Sequence, residues 1–289
     1  MKVHLVDGTY ELFRANFGAP PRTSPDGREV GATVGLLRSL LMLVTTPGVT
    51  HVACSFDHVI ESFRNGLYAG YKTGEGVDEN LLAQFPLAEK AVAALGIVVW
   101  PMVEFEADDG LAAGVSLYGS EPGVEQVVVC SPDKDLAQTV NGKRVVCWDR
   151  RRDIVMDEDG VVEKFGVRPR SIPDWLALVG DAADGYPGVQ GWGQKSASTV
   201  LAKFEHLEAI PDDPAQLGIS PGRAATLLAN LKAHWDEAKL FRVLATLRTD
   251  VPITEKLADL EWKGAAPELE TVCRELGDEG TLERIPKWR

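Results

Sequence analysis

The sequence predicts an α/β fold with a parallel sheet, followed by a smaller helical region. Over roughly the first 150 residues, short apolar runs alternate with longer amphipathic stretches, as in chains that build a parallel sheet covered by helices. The apolar runs contain few polar positions, which is typical of strands buried on both faces. After about residue 165 the strand-like runs give way to helical periodicity.

Runs of β-branched and other apolar residues predict the strands. The first run, VHLV, ends at Asp7, and four more follow. The predicted strands are 3–6, 49–56, 97–99, 127–130 and 145–148. Because parallel strands require crossover connections, we expect helices between them on both faces of the sheet.

Apolar residues at helical spacing predict the helices. In the first part of the chain they are 31–44, 81–95 with an interruption at Pro86, and 108–118. In the second part they are 172–179, 195–204, 221–234 and 235–246. We therefore place a boundary near residue 168 and predict two domains, 1–168 and 169–289.

Composition and charge restrict the classes of function. The 289 residues are 45% hydrophobic and 25% charged, an ordinary globular mixture that excludes fibrous or largely disordered proteins. With 30 basic and 43 acidic residues the net charge is −13, so a polyanion must be bound through local bases or bound cations. Neither a membrane-spanning run nor a signal peptide is present, and the four cysteines lack metal-site spacing. We expect a cytoplasmic protein without membrane contact.

The position of the acidic residues is the most informative feature. Asp7 and Asp57 directly follow the first two strands, and the next two strands are followed by Glu106, Asp108, Asp109, Asp133 and Asp135. Because the carboxyl ends of parallel strands line one crevice, we predict that these seven carboxylates converge. Crowded carboxylates repel one another, and hard oxygen ligands select Mg²⁺ or Mn²⁺. Taken alone, each acid favours a helix N-cap, whereas the group of acids at the same strand ends favours a shared metal site.

Candidate phosphate contacts follow the second strand. Arg64 and Lys72 can bind phosphate, and Tyr71 can stack on a base. The same residues fit a solvated amphipathic helix, and that alternative stays open for them. Arg14 and the arginine run 150–152 allow the same two interpretations.

A glycine-rich block, GDAADGYPGVQGWGQKSA, combines two chemical signals. Its glycines at 188, 191 and 193 are spaced as in a helix–hairpin–helix turn that opens onto a helix at Gln194. Backbone N–H groups of such a turn favour a phosphate, and Lys195 and Ser196 add side-chain donors. Asp181 and Asp184 precede the turn and extend the set of candidate metal ligands.

Taken together, these motifs resemble those of the 5′-nuclease superfamily, which includes bacterial 5′-3′ exonucleases, the nuclease domain of DNA polymerase I and flap endonucleases. The resemblance spans roughly residues 1–250. The matching pieces are LVDG at 5–8 with Arg14, FD at 56–57, SFR at 62–64, YK at 71–72, EADD at 106–109, SPDKDLAQ at 131–138, GDAAD at 180–184 and PGVQGWGQKSA at 187–197.

The resemblance implies a PIN-like nuclease core with a helical arch, followed by a helix-3-turn-helix region. It implies hydrolysis of DNA phosphodiesters at 5′ ends and flaps, in repair or replication, by a mechanism with two or more Mg²⁺ or Mn²⁺ ions. The implied metal ligands are Asp7, Asp57, Glu106, Asp108, Asp109, Asp133, Asp135, Asp181 and Asp184.

Further site residues are also implied by the resemblance. Arg64 and Lys72 match groups that act on the scissile phosphate. A K⁺ ion is expected at the glycine-rich turn. The implied DNA contacts are Arg14, Tyr71, Gly188, Gly191, Gly193, Lys195 and Ser196.

Some features depart from the family pattern. Residues 73–80, where the arch is expected, carry three acids and no base, and Glu75 stands where a base is common. The chain is too short to add a polymerase domain, so we expect a free-standing, monomeric nuclease. Two other classes compete with this interpretation: a PIN-type ribonuclease, and a non-catalytic protein that binds branched DNA. The glycine-rich turn disfavours the first and the complete set of acids disfavours the second.

Overall fold

The computed structural model describes residues 1–18 and 20–289, which form two compact units. The first unit contains residues 1–62, 74–131 and 248–289. The second contains residues 63–73 and 132–247. The described chain has the helices α1 (Gly8–Gly18), α2 (Gly31–Val44), α3 (Phe63–Leu67), α4 (Glu79–Leu82), α5 (Phe85–Ala94), α6 (Ala107–Tyr118), α7 (Glu158–Phe165), α8 (Ile172–Val179), α9 (Gln194–Phe204), α10 (Pro221–Ala233), α11 (Trp235–Ala245) and α12 (Glu268–Glu275).

A parallel sheet forms the centre of the first unit. Its strands lie in the order β3-β2-β1-β4, and each neighbouring pair is parallel. In register, Val3 of the central strand lies opposite His51 on one side and Val127 on the other. The central strands are almost fully buried, as their apolar runs predict. The strands are β1 (Lys2–Asp7), β2 (His51–Asp57), β3 (Val98–Met102) and β4 (Gln126–Cys130).

The predicted α/β fold with a helical region is confirmed, and two prolines explain local departures from the predicted elements. The predicted helix 81–95 is divided into α4 and α5, and Pro86 lies in the first turn of α5, where its missing N–H is not needed. The strand β3 is longer than predicted and includes Pro101, which an edge strand tolerates. Within the described residues, no helix is both long and apolar enough to cross a bilayer.

The second unit combines a short hairpin with a group of helices. The strands β5 (Val145–Asp149) and β6 (Ile154–Met156) pair antiparallel, with Trp148 opposite Val155. The helices of this unit are α3 and α7–α11. The side chain of Trp192 connects the glycine-rich turn to α10, because its buried indole N–H donates to the backbone oxygen of Leu227 at 3.1 Å.

A buried carboxylate ties three helical segments of the second unit together. Asp174 on α8 is 2% exposed and accepts hydrogen bonds from the backbone N–H of Leu207 at 3.1 Å and from Arg242 Nη1 at 3.0 Å. His206 Nδ1 lies 3.0 Å from its other oxygen. Arg242 is also paired with Glu208, and this hydrogen bond lowers the pKa of the Glu208 carboxyl. Asp174 therefore holds α8, α11 and the segment after α9 in place.

We expect Asp174→Ala to destabilise the second unit by about 2 kcal/mol, because a buried N–H and a guanidinium lose their acceptor. Urea unfolding followed by circular dichroism measures this change. Asp236→Ala is the matched control, since Asp236 is 93% exposed in its ion pair with Lys239. Equal unfolding midpoints for the two variants would contradict the structural role of Asp174.

Candidate metal centre

In the first unit, two predicted acids lie at the carboxyl ends of neighbouring strands. Asp7 ends β1, and its two carboxylate oxygens accept hydrogen bonds from the backbone N–H of Tyr10 at 2.8 Å and the hydroxyl of Ser131 at 2.9 Å. Asp57 ends β2, and its Oδ1 accepts from the backbone N–H of Ala107 at 2.7 Å. The parallel sheet therefore brings both acids to one edge, as expected from their positions in the sequence.

The acids that open α6 differ in their surroundings. Glu106 is 5% exposed and accepts a hydrogen bond from the hydroxyl of Ser62 at 2.7 Å. Asp109 is fully buried and accepts from the backbone N–H groups of Glu106 at 2.9 Å and Arg248 at 2.8 Å. These are contacts of a helix-capping residue. Asp108 lies between them in the sequence and is half-buried.

In the second unit, the structure brings three predicted ligands together. Carboxylate oxygens of Asp135, Asp181 and Asp184 lie within 4.8 Å of one another. Asp135 begins a 3₁₀ turn, and its backbone N–H donates to Asp133 Oδ1 at 2.9 Å. Asp181 is fixed by a two-way backbone pairing with Tyr186, with N···O distances of 2.8 and 3.0 Å. Asp133 itself is exposed.

Burial makes this cluster of three carboxylates electrostatically unfavourable without cations. The pKa of Asp135 is raised well above its ordinary value, first by burial and then by the charges of Asp133, Asp184 and Asp181. Its Oδ1 is buried and has no hydrogen-bond partner. A buried acceptor without a donor, close to the oxygens of two further carboxylates, fits a hard divalent ion. The cluster of Asp135, Asp181 and Asp184 can therefore hold a divalent metal ion.

Lys72 is held against this cluster by a close approach of two backbone segments. Its Nζ lies 2.9 Å from Asp184 Oδ1, and its backbone N–H donates to the backbone oxygen of Asp184 at 3.0 Å. Gly185 has a φ of +87°, and a Cβ at this position would lie 2.1 Å from the backbone oxygen of Gly70. Only glycine permits this approach, so the segment after Asp184 positions Lys72.

Two other predicted phosphate or DNA contacts are buried. Arg64 is 1% exposed and donates to the backbone oxygens of Leu244 at 2.8 Å and Thr246 at 3.1 Å, at the end of α11. Tyr71 is 4% exposed, and the ammonium of Lys72 lies 5.6 Å from its ring centroid. Arg64 therefore connects α3 to the end of α11, and the ring of Tyr71 lies beside the ammonium of Lys72.

Some of the predicted DNA contacts on the glycine-rich turn form hydrogen bonds within the turn. Gly188 and Gly191 adopt positive φ, and Gly193 precedes the first turn of α9. The hydroxyl of Ser196 accepts from the Gly193 N–H at 3.0 Å and donates to the Gly193 oxygen at 2.9 Å. Lys195 is exposed. Of the predicted cations outside this turn, Arg14 in α1 pairs with Glu11 and donates to Ser39 at 2.9 Å.

Two side chains near the cluster were not among the predicted site residues. Lys134 Nζ lies 2.6 Å from Asp181 Oδ2. Tyr186 is 1% exposed, its hydroxyl has no hydrogen-bond partner, and its pKa is raised by burial and by the charges of Asp135, Asp184 and Asp181. The available signal was that Lys134 lies between two predicted ligands and that Tyr186 follows Asp184 by two residues, but sequence spacing does not show where a side chain points.

A parallel sheet with acids at its strand ends, and a cluster of buried carboxylates approached by lysines, define the class of metal-dependent phosphodiesterases. The chain matches two family descriptions: "5′-3′ exonuclease, N-terminal resolvase-like domain" over residues 2–166 and "5′-3′ exonuclease, C-terminal SAM fold" over residues 167–268. It is 30% identical to a 5′-3′ exonuclease of Aquifex aeolicus, over 94% of this chain and 96% of that protein. The chain belongs to the 5′-3′ exonuclease family.

Longer relatives and solved structures extend the comparison. The chain is 35% identical to DNA polymerase I of Rhizobium leguminosarum, over 86% of this chain. It spans only 25–32% of the length of this and two other DNA polymerase I relatives. The T5 D15 flap endonuclease, solved with DNA and metal ions, has a similar fold, with a TM-score of 0.67, 20% identity, and 86% of this chain and 90% of that chain covered.

We expect Gly185→Ala to lower the melting temperature, because the added Cβ overlaps the backbone oxygen of Gly70 and the positive φ alone costs about 1–2 kcal/mol. Differential scanning calorimetry measures the change. Gly222→Ala in α10 is the control, since nothing lies within 4 Å of its added Cβ. If both variants melt like the wild type, the close approach does not constrain this segment.

We expect Asp135→Asn to raise the melting temperature at neutral pH in a chelator, because it removes a charge that burial and neighbouring acids oppose. An acid whose pKa is raised on folding destabilises the native state as the pH rises through that pKa. The gain in melting temperature from Asp135→Asn therefore disappears toward pH 4. The gain is roughly 2–4 °C for each kcal/mol of repulsion removed. Melting curves from pH 4 to 8 test this, and a lower melting temperature at every pH would contradict it.

Proposed function

We propose that this protein is a divalent-metal-dependent 5′-3′ exonuclease and 5′-flap endonuclease that hydrolyses DNA phosphodiesters in repair or replication. The observation that carries the proposal is the cluster of Asp135, Asp181 and Asp184, with a buried, unpartnered oxygen on Asp135 and Lys72 on Asp184. Support comes from the family and from the T5 D15 flap endonuclease, whose structure holds DNA and metal ions. DNA is therefore the proposed substrate.

The proposed metal ligands are the nine acids predicted from the sequence. Bound Mg²⁺ or Mn²⁺ ions, two or more in number, would activate water and stabilise the leaving oxygen at the scissile phosphate. Asp135, Asp181 and Asp184 would hold an ion directly. In the first unit Asp7, Asp57 and Glu106 are fixed by hydrogen bonds from Tyr10, Ala107 and Ser62, and the remaining acids in the set are Asp108, Asp109 and Asp133.

Lys72 is the proposed catalytic group for the phosphate. Its ammonium lies on Asp184. We propose that it stabilises the charge that develops on the phosphate oxygens during hydrolysis. The guanidinium of Arg64 adds a fixed positive charge but donates to backbone carbonyls, so we propose that it acts mainly by positioning. The turn from Gly188 to Ser196, with Lys195, is proposed to hold duplex backbone, with K⁺ bound there.

The proposed organisation keeps the nuclease core at residues 1–168 and the DNA-binding region at 169–289. The boundary between the two matched family descriptions, at residues 166 and 167, supports this division. Arg14 and Tyr71 remain proposed DNA contacts. We also propose that the protein acts as a monomer in the cytoplasm.

The proposal is tested with labelled 5′-flap DNA, blunt duplex and single-stranded RNA, each incubated with Mg²⁺, Mn²⁺ or EDTA. We expect metal-dependent cleavage of the flap and of DNA 5′ ends, with no cleavage in EDTA. Preferential cleavage of RNA would identify a ribonuclease instead. Metal-independent binding without cleavage would identify a protein that binds branched DNA.

Two variants locate the activity in the proposed site. Asp133→Asn should abolish cleavage while the fold and much of the DNA binding remain. Lys72→Ala should lower the single-turnover rate by about 10²–10³-fold, as loss of a group that stabilises transition-state charge does. If Lys72→Ala changes only the affinity for DNA, Lys72 is a tether and not a catalytic residue.

A further inference from the structure

Lys134 is the residue whose place in the cluster the proposed function leaves unexplained. It lies between Asp133 and Asp135 in the sequence, and its Nζ is 2.6 Å from Asp181 Oδ2. Asp181 is 4% exposed, while the lysine side chain is 35% exposed, so most of the lysine side chain is covered and its ammonium contacts a buried carboxylate. The other Asp181 oxygen accepts the backbone N–H of Ala183 at 2.9 Å.

The cluster therefore carries two ammonium groups. Lys134 is paired with Asp181 and Lys72 with Asp184, which reduces the formal charge of the three carboxylates from −3 to −1. Neither of these two ion pairs involves Asp135. Burial lowers the pKa of Lys134, but Asp181, Asp135 and Asp133 together raise it, so the ammonium stays charged.

We propose that Lys134 is a counter-cation that competes with the divalent ion for Asp181, so that the ion binds tightly only when a DNA phosphate is present. This inference rests on the proposed function. A metal ion that binds the carboxylate oxygen already paired with an ammonium is repelled by the charge of that ammonium, which weakens the binding of the ion. A phosphate supplies the missing negative charge and further oxygen ligands, which Mg²⁺ in particular takes from its substrate.

The two lysines then have different roles. Lys72 acts on the phosphate, whereas Lys134 is a positioning residue that sets when the ion binds. Ion binding and substrate binding are then coupled, and by linkage each strengthens the other by the same factor. A merely structural ion pair would stabilise the fold without changing the affinity for the metal.

The test measures Mn²⁺ binding to the full-length protein by electron paramagnetic resonance, with and without a 5′-flap duplex that carries phosphorothioate linkages at the junction. The variant is Lys134→Met, which keeps much of the side-chain volume and removes the charge. Lys134→Arg keeps the charge. Lys239→Met is the matched control, because Lys239 forms an exposed ion pair with Asp236 at 2.7 Å in the same unit. Asp184→Asn identifies the binding step that belongs to the cluster.

We expect the wild type to bind Mn²⁺ at the cluster weakly alone and about ten-fold more tightly with DNA, a coupling typical of linked sites. Lys134→Met should bind it about ten-fold more tightly without DNA and lose most of the dependence on DNA, because a unit charge near the ion is removed. Lys134→Arg and Lys239→Met should behave like the wild type.

An affinity of Lys134→Met without DNA that stays within two-fold of the wild type, or falls, would overturn the proposal. Lys134→Gln provides a second uncharged side chain if the methionine variant folds poorly. A separate result would contradict the proposed function: the wild type would cleave no DNA with Mg²⁺ or Mn²⁺. Cleavage by the wild type together with unchanged Mn²⁺ binding in both uncharged variants would reject only the role of Lys134.

Discussion

Three carboxylates in one buried space cannot all keep their charges without cations nearby, and this constraint organises the second unit. Asp181 and Asp184 each have an ammonium partner, whereas the pKa of Asp135 is raised. The surrounding backbone is fixed by close contacts. Asp181 pairs with Tyr186 through two backbone hydrogen bonds, and Gly185 lies against Gly70. The fold therefore maintains an arrangement that would relax if the chain were free.

The sheet and most helices could be predicted because their signals are local. The runs around β1, β2 and β4 are mostly apolar, and α2 and α8 have the predicted bounds. The elements that were not predicted had weaker signals in the sequence. The helix α1 follows β1 without a break, and β6 has only three residues, two of which are exposed on the surface.

At the site, the motifs contained the three acids that the structure brings together, but they did not show the contacts of each side chain. The position of Asp109 beside Asp108 in the motif cannot show that both of its oxygens accept backbone N–H groups. Likewise, a motif cannot show that Arg64 is buried against the end of α11. Side-chain direction depends on tertiary packing, which one sequence does not contain. For the same reason, the sequence left open whether Lys134, between Asp133 and Asp135, compensates their charge or faces solvent.

The segment from Gly180 to Gly188 has several roles over a few residues. It contributes two carboxylates to the cluster, and through Gly185 it determines the position of Lys72. It also leads into the turn that precedes α9, whose connection to α10 depends on Trp192. Because these roles share one backbone path, substitutions within the segment are expected to act together rather than additively.

The raised pKa of Asp135 has a practical consequence for attempts to improve this protein. In a buffer that contains a chelator, the carboxylate opposes folding, so a selection for heat resistance would enrich amide or apolar replacements at this position. If the proposed function is correct, the selected proteins would resist heat but would no longer cleave DNA. Selections carried out with millimolar magnesium or manganese would instead reward the acidic side chain, because each bound ion adds its own binding free energy to the native state.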